Sequence, residues 1–189
     1  MYTIGVDLGG TNIAIGLCDE NLNIIDKGSV PTLANREAEE IIRDMAKLAK
    51  NIMDRNSVDI ADVEYVGIAS PGVANSKTGI IEYSCNLPFL NFPIAEVFKS
   101  FLPVKAVYVA NDANAAALAE ALAGSAKGSR NSIMITLGTG VGGGVIINGK
   151  IFEGGVNCAG AELGHTVIVA GGLSIFCLFI LSFQKSEIN

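Results

Sequence analysis

One pattern occurs twice in this chain. Thr3 to Leu8 is mostly apolar, Gly9-Gly10-Thr11-Asn12 interrupts it, and Ile13 to Cys18 is apolar again; Met134 to Leu137, a turn of Gly138-Thr139-Gly140 and Val141 to Ile147 repeat the plan. A glycine-bearing turn between two short apolar runs reads as two strands joined by a tight hairpin, and its repetition implies two similar lobes. Between the hairpins the chain supplies what such sheets need. A third strand is predicted at Leu22 to Val30, and Ala38, Ile41, Ile42, Met45, Leu48, Ile52 and Met53 recur at helical spacing. Glu39, Glu40, Arg43, Asp44, Lys47 and Lys50 lie mostly on the opposite side, the signature of an amphipathic helix covering one sheet face. Val63 to Ala69 and Val104 to Ala110 read as buried strands, ended by Ser70-Pro71-Gly72 and Asn111-Asp112. Ala113 to Ala123 reads as a helix stopped by Gly124.

Composition removes several function classes. Half of the 189 residues are hydrophobic and 17% are charged, enough to bury a sizeable core. A net charge of −6 and a pI near 4.8 lack the Lys and Arg excess that holds a phosphate backbone, so no nucleic-acid partner is expected. Cys18, Cys85, Cys158 and Cys177 form no Cys-x-x-Cys pair, and Met1-Tyr2-Thr3-Ile4 opens the chain without a basic, apolar leader; a cytoplasmic location is expected. The single histidine, His165, excludes His-x-x-x-His metal hydrolases, and the lack of a Gly-x-Ser-x-Gly elbow argues against a Ser-His-Asp hydrolase built on one.

Twelve of the 22 glycines lie between Gly138 and Gly172, so main chain there comes close to something, and phosphate is the usual guest of such loops. Two phosphate motifs nevertheless fail. Gly138, Gly140 and Gly143 have dinucleotide-fingerprint spacing, but that fingerprint must open a helix and Gly144-Val145-Ile146-Ile147 continues a strand. Gly144, Gly149 and Lys150 approximate a P-loop, yet Ile151 stands where a magnesium-holding Ser or Thr is required.

Other residues carry chemistry more convincingly. Asp7 at a strand end, beside a turn with exposed amides and a hydroxyl, suits a magnesium-bound polyphosphate, although it could equally brace its own hairpin. Asp112, where a strand becomes a helix, is either an N-cap or a base kept ionised by the helix N-terminus. Glu153, Glu162 and His165 form a polar group among Gly154-Gly155, Gly160 and Gly164, and singly each could be structural.

Taken together, Gly5-Val6-Asp7-Leu8-Gly9-Gly10-Thr11-Asn12, Val109-Ala110-Asn111-Asp112-Ala113-Asn114-Ala115, Gly138-Thr139-Gly140-Val141-Gly142-Gly143-Gly144 and Ala161-Glu162-Leu163-Gly164-His165 resemble the ROK family of sugar kinases and repressors, and most of all its bacterial glucokinases. The resemblance runs from residue 1 to about residue 172. It implies an α/β, actin-like ATPase fold of the ribonuclease H-like, hexokinase type: two lobes around a cleft, here 1–110 and 111–172, the second incomplete. It implies ATP-dependent phosphorylation of a hexose, most simply glucose to glucose 6-phosphate, with N-acetylmannosamine or fructose as alternatives. By position, Asp112 resembles the general base, and Asn86, Asn111, Glu162 and His165, with Glu153 a weaker candidate, resemble sugar-hydroxyl contacts. Asp7, Gly9, Gly10, Thr11 and Asn12 would face the phosphates of ATP, Asp7 reaching its Mg2+ indirectly, and Gly138, Thr139 and Gly140 would face them from the second lobe. A homodimer is the form the resemblance implies for a full-length member.

The likeness breaks after Gly172. From Leu173 the chain reads Leu-Ser-Ile-Phe-Cys-Leu-Phe-Ile-Leu-Ser-Phe and ends at Asn189, where family members carry a cysteine-rich zinc loop and further helices. With Cys177 the one cysteine after His165, bound zinc is not expected. Leu163 to Gln184 has no charged residue, but its glycines, His165 and Thr166 argue against a membrane span, and a frameshift or early stop accounts better for residues 173–189. Little kinase activity is therefore expected of the 189-residue chain alone. A non-catalytic, sugar-binding remnant is the alternative; a repressor of the same family would need a helix-turn-helix that the sequence does not contain.

Overall fold

Alternating burial along short strands, rather than long apolar runs, builds the first part of the molecule. The structure, a computed structural model, describes residues 1–137, 141–154 and 163–165, with the His165 side chain outside that description. The chain forms β1 (Tyr2–Leu8), β2 (Asn12–Cys18), β3 (Ile24–Pro31), α1 (Ala38–Arg55), β4 (Val63–Ser70), β5 (Val73–Asn75), β6 (Ile80–Tyr83), β7 (Leu90–Phe92), α2 (Ile94–Phe101) and β8 (Val107–Asn111). After these come α3 (Asp112–Leu122), β9 (Ser132–Leu137), β10 (Val141–Ile147) and β11 (Lys150–Ile151). Two units result, Met1–Asp112 and Ala113–Asn189. Among the described residues no helix is long and apolar enough to cross a membrane.

In the first unit a five-stranded sheet has the order β3-β2-β1-β4-β8: β1, β2 and β3 are an antiparallel meander, and β4 and β8 run parallel to β1. Every second residue points to one face, where Ile4, Val6, Leu8, Ile13, Ile15, Leu17, Val66 and Ile68 are buried in a common core with Ile41, Ile42, Met45, Ala49, Ile52 and Met53 of α1. Helix α1 carries Glu39 and Glu40 in its first turn and Arg55 in its last, as its dipole favours. It ends where Ser57 turns left-handed (φ 55°) and the Val58 and Ser57 amides donate back to the Met53 and Asp54 carbonyls, a Schellman arrangement.

Two differences from the sequence expectation have local causes. Strand β3 begins at Ile24, not Leu22, because the Asp19 carboxylate accepts from the Asn21 and Asn23 amides (2.9 and 2.8 Å) and bends the chain, leaving Leu22 at φ 64°. Strand β8 begins at Val107, since Val104 donates to Leu102 O in a turn. The connection from β8 to α3 has no linking residue: Asn111 ends the strand and Asp112 opens the helix. A small antiparallel sheet, β5-β6-β7, and helix α2 were not foreseen; they bury Ile81, Phe89, Ile94 and Phe98 in the core of the first unit.

In the second unit β9, β10 and β11 form an antiparallel sheet. For the glycines of β10 the close neighbour is the protein itself. A methyl group on Gly144 would come within 2.5 Å of the Ala117 Cβ, and one on Gly143 within 2.7 Å of the Leu163 side chain, so these glycines let α3 and the turn at Leu163–His165 rest directly on strand β10. The opposite face of β9 leaves Ile133, Ile135 and Leu137 exposed.

Candidate active site

The C-terminal ends of β1, β4 and β8 come out at one edge of the parallel part of the sheet, the edge at which open α/β sheets bind ligands. Asp7 of β1 lies opposite Ala69 of β4, and Ser70 of β4 lies opposite Asn111 of β8. Register alone therefore gathers Asp7, the Ser70-Pro71-Gly72 turn, Asn111 and Asp112.

Beyond β1 the chain turns through Gly9, Gly10 and Thr11. The Gly9 amide donates to Asn12 O at 3.0 Å, while the exposed amides of Gly10 and Thr11 donate to no acceptor among the described residues. Amides left without an acceptor in an exposed turn are suited to anionic oxygen. Asn86 packs across this turn: a methyl group on Gly10 would lie 3.5 Å from the Asn86 Cβ.

Gly72 ties the remaining pieces together. Its φ of +93° suits only glycine, and a methyl group there would fall on Tyr83 O and within 2.9 Å of the Ser84 Cα. The end of β6, which leads into Asn86, is thus seated against the turn that follows β4. The Gly72 carbonyl also accepts from Asn111 Nδ2 at 3.1 Å, fixing the plane of that amide.

Two carboxylates face this edge. Burial first, and the negative charge of Asp112 second, hold the Asp7 carboxyl above its ordinary pKa, although much of its surface is open. Asp112 is exposed in the first turn of α3.

Of the residues singled out in the sequence, Asp7, Gly9, Gly10, Thr11, Asn12, Asn86, Asn111 and Asp112 all belong to the first unit and to this edge. Glu153 follows β11 in the second unit, half-buried. Gly138, Thr139, Gly140, Glu162, the His165 side chain and residues 173–189, with the zinc expectation that rests on Cys177, lie outside the described residues. Gly72, read from the sequence only as a turn residue, was missed as the piece that seats Tyr83, Ser84 and Asn111 at this edge.

The family model that matches residues 3–178 is that of the ROK family. The chain belongs to the ROK family. The match continues past Leu173, where the composition changes. The glucokinase of Thermotoga maritima is 37% identical over 175 residues, which cover 92% of this chain and 53% of the relative. The N-acetylmannosamine kinase of Vibrio cholerae is 32% identical over 174 residues, covering 91% of this chain and 56% of that one. The crystal structure of the ROK family glucokinase from Streptomyces griseus, in complex with glucose and AMPPNP, matches with a TM-score of 0.79 and 36% identity over 92% of this chain and 53% of that chain. The fold is therefore that of the family, the actin-like, hexokinase-type α/β ATPase fold, and the chain spans about half the length of the curated relatives it matches.

Proposed function

We propose that this chain carries the sugar-binding and part of the phosphate-binding machinery of an ATP-dependent hexose kinase, glucose being the first sugar to test. The observation that carries the reading is the convergence, on one sheet edge, of an amide-bearing turn, two asparagines and a carboxylate at a helix N-terminus.

In this reading Asn86 and Asn111 bond sugar hydroxyls, for which an amide offers both donor and acceptor. The Asn111 plane is already set by Gly72, so little ordering is left for binding to do. Asp112 accepts the proton of the attacking hydroxyl as its oxygen bonds to the γ-phosphorus and ADP departs with the electrons of the broken P–O bond. The start of α3 favours the ionised carboxylate that this role requires. The amides of Gly10 and Thr11 receive phosphate oxygens, and Asn12 and Thr11 border that position. Gly138, Thr139 and Gly140 belong to the same proposal for the second unit, as do Glu153, Glu162 and His165 for the sugar.

Magnesium fits this donor set. Mg2+ on a nucleotide takes most of its ligands from phosphate and water and needs one or two carboxylates. Asp7, pressed toward neutrality by its surroundings and by Asp112, gains from a nearby cation, which would neutralise phosphate charge. The N-acetylmannosamine kinase relative keeps that sugar as a second candidate.

Calorimetric titration of the chain with glucose, N-acetylmannosamine and Mg-AMPPNP tests binding. Hexose-dependent ADP release tests the chemistry, in this chain and in a fusion completed with the remaining half of the Thermotoga maritima relative. Asp112→Asn should lower turnover at least 1,000-fold, on the order of a lost base with its supporting charge, and leave sugar affinity within about twofold. Turnover near wild type in Asp112→Asn, or no sugar binding by either chain, would overturn the proposal.

A further inference from the structure

The turn after β1 makes only one of its own two closing bonds, from the Gly9 amide to Asn12 O. In a two-residue hairpin the carbonyl before the turn accepts from the amide after it. Here the Gly9 carbonyl accepts instead from the Thr32 hydroxyl, at 2.7 Å, and the Thr11 carbonyl accepts from the Thr32 amide, at 2.8 Å. Thr32 is fully buried, directly after β3, and reaches the turn because Asn12 and Pro31 are paired across the β2–β3 ladder.

Peptide planarity gives these two bonds a consequence. In a trans peptide the carbonyl and the following N–H point in opposite directions, and the described residues contain no cis peptide. Drawing the Gly9 and Thr11 carbonyls toward Thr32 therefore turns the Gly10 and Asn12 N–H groups the other way, away from β3. Thr32 is itself braced: its carbonyl accepts from Arg36 Nη2 at 3.1 Å, and Arg36 pairs with Asp44 of α1 at 2.7 Å. A chain of contacts thus runs from helix α1 to the turn.

We propose that Thr32 is a positioning residue for phosphate: its hydroxyl, through the Gly9 carbonyl, sets the direction of the Gly10 amide, with Arg36 and Asp44 holding it in place. The proposal rests on the kinase reading for the identity of the ligand and on the turn alone for the geometry. Thr32→Val keeps the shape and removes the hydroxyl, leaving the Gly9 carbonyl buried against a methyl group.

In the 189-residue chain, Thr32→Val should weaken Mg-AMPPNP at least tenfold while glucose affinity stays within twofold, and Thr32→Ser should restore it. By NMR hydrogen exchange, the Gly9 amide, which closes the turn onto Asn12, should lose at least tenfold protection in Thr32→Val only. If Thr32→Val does not fold, Arg36→Ala tests the same chain from its outer end, with about threefold weaker Mg-AMPPNP and unchanged glucose. Unchanged nucleotide affinity in the folded variant, or an equal loss for nucleotide and glucose, overturns the proposal. Should the wild-type chain bind no nucleotide, the kinase reading falls on its own, and unaltered Gly9 protection in Thr32→Val is then the result that overturns the positioning role.

Discussion

Alanine at Gly72 should be among the most damaging one-carbon changes this chain can receive. The residue sits at φ +93°, where an L side chain costs roughly 1–2 kcal/mol. Its new methyl group would overlap Tyr83 O and crowd the Ser84 Cα at 2.9 Å; both are main-chain atoms that cannot swing aside, and overpacking of that kind costs roughly 1–3 kcal/mol. The expected loss is about 3 kcal/mol, a large share of the roughly 5–15 kcal/mol that holds a typical protein folded. For a chain of this size it corresponds to a fall in Tm of roughly 6–12 °C. Gly67 is the control, because it lies in β4, where a methyl group would meet nothing within 4 Å, and Gly67→Ala should stay within about 0.5 kcal/mol of wild type. Urea unfolding followed by tyrosine fluorescence reads the right region: there is no tryptophan, and Tyr2, Tyr65, Tyr83 and Tyr108 all lie in the first unit. Equal midpoints for Gly72→Ala and Gly67→Ala would refute the argument that Gly72 is where the β4 turn, the end of β6 and Asn111 are held together.

Asp7→Asn should stabilise the first unit at neutral pH, because the folded carboxyl has a raised pKa against an ordinary value of 3.8, so its ionised form costs stability above the folded value. That cost fades as pH falls through the folded value toward 3.8, so the advantage of Asp7→Asn in urea midpoints should shrink on acidification; a constant advantage would contradict the cause. Ile135→Lys, placed in the exposed row of Ile133, Ile135 and Leu137, should reduce self-association measured by sedimentation at micromolar concentration, and identical sedimentation of both chains would show that this row makes no contact between molecules.

The parts of the fold that could be read from the residues are those whose signal is local and repeated. The β1–β2 and β9–β10 hairpins announce themselves by apolar runs around glycines, and α1 by a long amphipathic period. Strands β5 and β7 have three residues each and α2 has eight, too few for any periodicity to stand out, so the small sheet emerges only from packing around Phe89 and Phe98. The same contrast holds for the site. Asp7 and Asp112 mark themselves by lying where apolar runs stop, whereas Thr32, an ordinary residue between Pro31 and Leu33, acquires its role from a partner 23 positions away. Gly72 could be read as a turn residue, but the overlap it avoids, with Tyr83 and Ser84, is a property of the folded chain alone.

Helix α3 rests on β10 with almost no side chain between them, methyl groups of Ala113 and Ala117 lying over the main chain of Gly142 and Gly144. Interfaces padded by long side chains can yield, since each rotamer change absorbs a little displacement; a methyl group set on a peptide plane has nothing to give. Helix and hairpin must therefore move as one stiff piece. A single added carbon at Gly144 would meet both the Ala117 methyl group and the Ala113 carbonyl, and so would have to lift the helix bodily from the strand.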